Sequence, residues 1–255
     1  MKIITYNVNG IRSALGKGLA DYLQKVNADV VCLQETKAQP DQIDDTLLKV
    51  IGYNHIYWHS AVKKGYSGVA ILCKQKPENV VIGCGNELYD NEGRVIRVDF
   101  KDCSVMSVYM PSGSSGEDRQ GFKMSWLEYF YTYISSLKYE VPNLIICGDY
   151  NICHRAIDIH DPKGNAKSSG FLPEERDWME MYFNDGWIDG FRFFNSHPHH
   201  YTWWTFRAGA REKNKGWRID YCVLHESLKS NLKASWIDAQ AKHSDHCPTG
   251  IELKF

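Results

Sequence analysis

No CxxC pair, no long apolar run and no excess of either charge occur in this chain. The eight cysteines stand at 32, 73, 84, 103, 147, 153, 222 and 247, without zinc-ligand spacing. Most lie inside apolar runs such as Val31-Cys32-Leu33 and Ile146-Cys147-Gly148, which reads as small buried residues in a reducing cell interior rather than a disulfide framework. No apolar stretch is long enough to span a bilayer, and no charged-then-apolar leader precedes the strand-like run Ile3–Val8. A soluble cytoplasmic protein without a membrane partner is expected, nucleoid-associated when acting on DNA. With 30 Lys+Arg against 31 Asp+Glu, a general basic coat is excluded. A nucleic-acid partner would need positive charge segregated onto one face. Proline and glycine are scattered as turn punctuation, and no short repeat or low-complexity linker divides the chain. One domain over 1–255 follows.

What is present is a core-sized apolar fraction of 43% and many aromatics, with 8 Trp and 15 Tyr. Leu19, Tyr22, Leu23 and Val26 recur at helical spacing before a buried strand at Asp29–Leu33. Ile43, Leu47 and Val50 predict a second helix ending at Gly52. Alternating runs near 54–60, 66–73, 94–100 and 104–110 read as strands. Phe122, Trp126, Tyr129, Phe130, Tyr133 and Leu137 mark the longest amphipathic helix. A strand at Asn143–Cys147, a helix from Pro173 through Met181, and strands at 219–224 and 249–253 complete the pattern. Several adjacent strands have no helix between them, which favours two packed sheets of mixed direction with helices outside.

Polar residues cluster where these runs end. Glu35 closes a buried strand after Gln34, either as a solvated strand end or as a metal ligand. Asn7 and Asn9 flank Val8 and project to one side; they suit a turn before Gly10 or the orientation of a metal-bound water or phosphate. Asp149 and Asn151 alternate past another strand end. They fit an Asx-type turn, or a pair holding an attacking water. Asp220 and His246 suggest a carboxylate that keeps an imidazole charged, able to stabilise negative charge on phosphorus oxygens. Asp245 could join a metal shell. Tyr109 ends a strand and either packs or bonds a phosphate. The other nine histidines read as structural. Converging carboxylates of this kind suit a hard divalent cation and a phosphoester. From Tyr201 to Arg218, aromatics interleave with Arg207, Arg211, Lys213, Lys215 and Arg218, the best candidate for a backbone-binding, stacking surface. Lys163–Lys167 offers a second basic loop.

Six motifs appear in order: Asn7-Val8-Asn9-Gly10, Leu33-Gln34-Glu35-Thr36-Lys37, Tyr109-Met110-Pro111, Gly148-Asp149-Tyr150-Asn151, Gly216-Trp217-Arg218-Ile219-Asp220-Tyr221 and Ser244-Asp245-His246. Together they resemble the exonuclease III family of abasic-site endonucleases across residues 3–253. The resemblance implies a four-layer α/β sandwich of the DNase-I-like kind. It also implies a Mg²⁺-dependent phosphodiesterase in which Mn²⁺ can substitute. By that likeness Glu35 is the principal metal ligand, with Asn7 and Asp245 near the metal. Asp149 and Asn151 position or activate water, Tyr109 and Asn165 contact the target phosphate, and Asp220 orients His246. Trp203, Trp217 and Ile219, with Arg218 beside them, would form the pocket for a flipped abasic sugar. Three departures stand out: Ser112 and Ser168 occupy positions where relatives often have amides, and Asn9 is Asp in some members. The expected activity is cleavage of duplex DNA 5′ to abasic sites by a monomer, with removal of 3′ blocks and 3′-5′ exonuclease action. A lipid or small-molecule phosphoesterase of the same fold is the alternative; a DNA-binding module without chemistry is a further rival.

Overall fold

Alternation along the strands decides the architecture. Val30 and Cys32 face one apolar cluster while Val31 and Leu33 face another. Ile145 and Cys147 share the first of these clusters, whereas Leu144 and Ile146 face a third. A strand buried on both sides must lie between two other layers, so two sheets with helices outside them are required.

The computed structural model describes all residues 1–255. Its strands are β1 (Lys2–Asn7), β2 (Val30–Gln34), β3 (His55–His59), β4 (Val69–Cys73), β5 (Asn79–Ile82), β6 (Val95–Asp99), β7 (Ser104–Tyr109), β8 (Leu144–Asp149), β9 (Trp187–Asp189), β10 (Asp220–His225), β11 (Leu232–Ile237) and β12 (Thr249–Leu253). Its helices are α1 (Ile11–Gly16), α2 (Leu19–Val26), α3 (Thr46–Val50), α4 (Glu87–Asp90), α5 (Glu117–Glu140), α6 (Pro173–Asn184) and α7 (Gly190–Phe194). One sheet runs β11-β12-β1-β2-β4-β3 and the other β5-β6-β7-β8-β10-β9. Helices α1 to α3 cover the first through Ile11, Leu19, Leu23 and Leu48. Helices α5 and α6 cover the second through Trp126, Phe130, Ile134, Trp178 and Tyr182. This is the expected four-layer sandwich. All eight cysteines are buried and unpaired. No helix is long and apolar enough to cross a membrane.

Two sequence expectations are corrected. The helix through Ile43, Leu47 and Val50 is a single turn, α3, whose buried residue is Leu48; Leu47 and Val50 are exposed. One turn cannot support an amphipathic face. The strand expected over 66–73 begins only at Val69, because Ser67 and Gly68 take left-handed backbone. The short elements β5, β9, β11, α1, α4 and α7 carry too little periodicity to be read from the sequence.

Register then gathers the polar residues. Parallel pairing of β1 with β2 sets Asn7 beside Gln34, and that of β7 with β8 sets Tyr109 beside Asp149. Antiparallel pairing of β10 with β8 sets Asp220 opposite Asp149. All of these positions fall on one edge of the sandwich.

Candidate active site

Glu35 and Asn151, each one or two residues past its strand, adopt left-handed backbone with φ of 50° and 51°. For residues with a Cβ this conformation is costly and persists where surroundings impose it. Around Glu35, Gly10 donates to the Glu35 carbonyl at 2.7 Å, and Thr36 and Lys37 donate to the carbonyls of Gly68 and Ser67. Asn7 is the bridge between the sheets: its amide nitrogen donates to Glu35 Oε1 and Asp149 Oδ2, both at 2.8 Å. Its oxygen accepts the Asn9 N–H at 3.0 Å. Asn7 thus presents nitrogen, not oxygen, to the carboxylates and acts as their spacer.

His246 Nδ1 lies 2.9 Å from Asp220 Oδ2, and Nε2 lies 3.9 Å from Asp149 Oδ2. Ligand atoms of Glu35, Asp149 and His246 fall within 4.8 Å of one another. Burial alone would neutralise the imidazole, but Asp220, Asp149 and Asp245 outweigh it and hold His246 charged. Burial, with Asp220 and Glu35 nearby, pushes the Asp149 carboxyl well above its ordinary range. Burial also raises Glu35, yet Lys37, Asn7 and His246 reverse the sign and keep it ionised. Lys37 Nζ reaches Glu35 Oε2 and Asn9 Oδ1, each at 2.6 Å.

The donor set fits a hard divalent cation. Glu35 and Asp149 offer carboxylate oxygens held apart by one amide. Four carboxylates (Glu35, Asp149, Asp220 and Asp245) face two cations, Lys37 and His246, a formal deficit of two positive charges. Asp245 lies outside the three-residue cluster: Oδ1 accepts from Asn9 and Ser244, and Oδ2 accepts Trp203 Nε1 at 3.0 Å. Those bonds, with His246, outweigh burial and keep it ionised.

Asn151 is oriented from three sides. Its N–H donates to Asp149 Oδ1, its amide nitrogen donates to the Met110 carbonyl at 2.9 Å, and its own carbonyl accepts from Lys123. The side-chain oxygen is left for the cavity that Asn151 lines. Tyr109, beside it, has its phenol pKa raised well above normal by burial, Glu35 and Asp149, so it stays a neutral donor.

The cavity holds about 720 Å³ and is bounded by Glu35, Tyr109, Asn151, Trp203, Trp217 and His246, among others. Trp203 and Trp217 meet edge to face, with centroids 5.9 Å apart and planes at 88°. Ile219 closes the corner, and Thr202 Oγ1 accepts the N–H of both Ile219 and Asp220 at 3.1 Å. Gly170, at φ 95°, lets its loop approach: a Cβ there would lie 2.9 Å from Trp217.

Two pocket assignments are corrected. Arg218 is buried, bonded to Asp158 Oδ1 at 2.8 Å and Asp189 Oδ2 at 2.7 Å, and does not line this cavity. A guanidinium that leaves water needs carboxylate partners, and two stand behind the strand. Asn165 is turned into its own loop, donating to the carbonyls of His160 and Asp161; Lys167, Ser168 and Ser169 line the cavity instead. The aromatic-basic run also divides. Tyr201 and Trp204 are core, and Arg211 is spent on the carbonyls of Ser244 and Ala239. Phe206, Arg207, Lys213 and Lys215 face solvent.

Sequence reasoning assigned no role to Lys37, Thr202, Gln120, Lys123 or Glu175. Lys123 carried a signal: it shares the 4-3-4-3 spacing of Leu127, Phe130, Ile134 and Leu137, all buried on α5. A lysine on that stripe requires a buried partner.

Fold and site define a metal-dependent phosphoesterase class. The Endonuclease/Exonuclease/phosphatase family model matches residues 4–246. Among curated relatives, an exodeoxyribonuclease of Bacillus subtilis (strain 168) is 44% identical over the full length of both chains. A DNA repair nuclease, APEX1 of Danio rerio, is 42% identical over 99% of this chain and 82% of its own. Among solved structures, an AP endonuclease from Archaeoglobus fulgidus superposes with a TM-score of 0.91 at 29% identity, and a Neisseria 3′ phosphatase bound to a product DNA hairpin with 0.93 at 26%; both comparisons cover each chain fully. The chain belongs to the endonuclease/exonuclease/phosphatase family and, within it, to the exonuclease III group of enzymes.

Proposed function

We propose that this chain is a divalent-cation-dependent DNA repair phosphodiesterase. It cuts duplex DNA on the 5′ side of an abasic site and processes 3′ ends at the same site. The observation that carries this reading is the convergence of Glu35, Asp149 and His246 within 4.8 Å, beside a corner walled by Trp203 and Trp217. Indoles at 88° offer no parallel pair of faces to receive a stacked base, whereas an edge-to-face corner accepts a bare sugar. Selection by exclusion of the base needs no reading of base edges. The names of the relatives, a DNA repair nuclease and an exodeoxyribonuclease, support a DNA substrate.

Glu35, which stays ionised, would be the principal ligand of the cation, and Asp149, whose carboxyl is pushed up, is left for the water. Bound Mg²⁺, or Mn²⁺ in its place, supplies Lewis-acid neutralisation of the phosphate charge. The free oxygen of Asn151 accepts from the attacking water, and Asp149 lies beside it to take the proton. His246, held charged by Asp220, donates to a non-bridging phosphate oxygen. Tyr109 donates its phenol to the same phosphate. Attack forms a bond from water oxygen to phosphorus and breaks the bond to the 3′ oxygen; the departing oxygen takes a proton from solvent water, leaving a 3′-hydroxyl and a 5′-phosphate, and the proton on Asp149 returns to solvent. Unpaired buried thiols accord with work in a reducing cytoplasm, and we place the enzyme there as a monomer.

The test is a nicking assay on abasic, intact and 3′-blocked duplexes, with and without chelator, beside an inositol phosphate. Chelator-sensitive cleavage confined to abasic and 3′-blocked DNA supports the reading. Turnover of the inositol phosphate with inert DNA replaces it by a small-molecule phosphoesterase. Tight DNA binding with no cleavage in Mg²⁺ replaces it by a binding module.

A further inference from the structure

We propose that the buried Lys123–Glu175 ion pair is a positioning device for the hydrolytic water, fixing Asn151 and the cavity loop Ser168–Leu172 from behind. This rests on the phosphodiesterase reading above. Both side chains are fully buried and lie 2.5 Å apart. Lys123 Nζ also donates to the Asn151 carbonyl at 2.9 Å. Glu175 reaches the other way: Oε2 accepts the N–H of Gly170 at 2.6 Å and of Leu172 at 3.0 Å, and Oε1 accepts Gln120 Nε2 at 3.1 Å. Gln120 Oε1 accepts the Ser169 hydroxyl at 2.7 Å. Gly170 returns to the same place, for its carbonyl accepts the Cys153 N–H at 2.7 Å and its missing Cβ would stand 3.0 Å from the Asn151 carbonyl. One ion pair therefore ties α5 and α6 to both the water-holding residue and the cavity wall.

Stability alone does not account for this pair. Exchanging a buried ion pair for apolar residues of similar volume is often neutral or stabilising by about 1–4 kcal/mol. On the stripe that Lys123 shares with Leu127 and Phe130, an apolar side chain would fill the same volume. What it would lack is a donor for the carbonyl of a residue held at φ 51°. Such a residue relaxes when its restraints are removed, and its amide oxygen moves with it.

The test is the double substitution Lys123→Met/Glu175→Gln. It removes both charges together and keeps an oxygen for the N–H groups of Gly170 and Leu172. Single-turnover incision of an abasic duplex is measured in saturating Mg²⁺, well below the melting temperature, with duplex affinity measured in parallel. The inference expects the rate to fall about 10- to 100-fold, as for a misplaced catalytic group, while the dissociation constant changes less than about threefold. A folded variant that cuts within about threefold of the wild-type rate overturns it, and so does a parallel loss of rate and affinity. Should the double variant melt below the assay temperature, Glu175→Asp keeps the charge and shortens the reach to Gly170. It must show the same split, and an undiminished rate again overturns the inference. Wild-type protein that leaves abasic DNA uncut takes both readings down; a wild type that cuts beside an equally fast variant removes this one alone.

Discussion

Two charged clusters meet near the start of β10, one through Arg218 and the other through Asp220, and they are built on opposite principles. Behind the site, Arg218 and Arg192 face Asp158 and Asp189, two charges of each sign, with Arg218 bonded to both aspartates. The two arginines hold the Asp158 carboxyl down at about 2. In front, Glu35, Asp149, Asp220 and Asp245 face only Lys37 and His246. There the Asp149 carboxyl is pushed up rather than down, and one oxygen of Asp220 has no partner. The rear cluster is complete in the protein alone and serves the fold. The front cluster is short of positive charge and becomes complete with a cation and a phosphate. Balance marks structure here, and imbalance marks function.

The largest effect should come from breaking the balanced side. Arg218→Met leaves the Asp189 carboxylate without its guanidinium partner and Asp158 with Arg192 alone, and should cost about 3–5 kcal/mol, read as a large fall in Tm. A Tm near wild type would mean the rear cluster is not the structural one. On the front side, His246→Asn should lower the incision rate by about 10²–10³, with a smaller fall in Tm than Arg218→Met, because the asparagine amide can still donate to Asp220. Loss of Tm with activity retained would reverse the roles of the two clusters. Acid sharpens the contrast next. Asp158 has a folded pKa of about 2, below its ordinary 3.8, so its contribution is full above about pH 4 and is lost as pH falls toward 2, about 2 kcal/mol in all. Urea melts across that range should show the loss in wild type and a flatter profile in Asp158→Asn. The smallest effect concerns selectivity: Trp203→Ala should narrow the preference for abasic over intact duplex while leaving the phosphoester chemistry within about tenfold, since it removes a wall and not a reacting group. Preference unchanged in competition assays would move the sugar slot elsewhere.

Much of the front cluster was legible in the sequence because strand ends announce themselves. Glu35, Asp149 and Asp220 each border a buried run, and pairing by register brings run ends together. The four-layer fold was legible for the same reason, through alternation in Val30–Leu33 and Leu144–Cys147. Orientation was not legible. The sequence does not say that Asn7 turns nitrogen toward its neighbours, nor that Arg218, between Trp217 and Ile219 of the cavity wall, points the other way. The basic run was overread for a similar cause: Arg211 has carbonyls within reach that only the folded loop supplies. Lys123 was visible as a charge on an apolar stripe, but its partner is 52 residues away, a separation no local pattern reports.

The central claim is that the front cluster is a cation site organised by Glu35. The most direct measurement is calorimetric titration of Mg²⁺ and Mn²⁺ into wild type and Glu35→Gln, with Tm recorded alongside. The account predicts saturable binding and a raised Tm in wild type, about 2.7 kcal/mol of stabilisation at a hundredfold excess over Kd, and loss of both in the variant. Equal binding by the two proteins, or none by either, would contradict it.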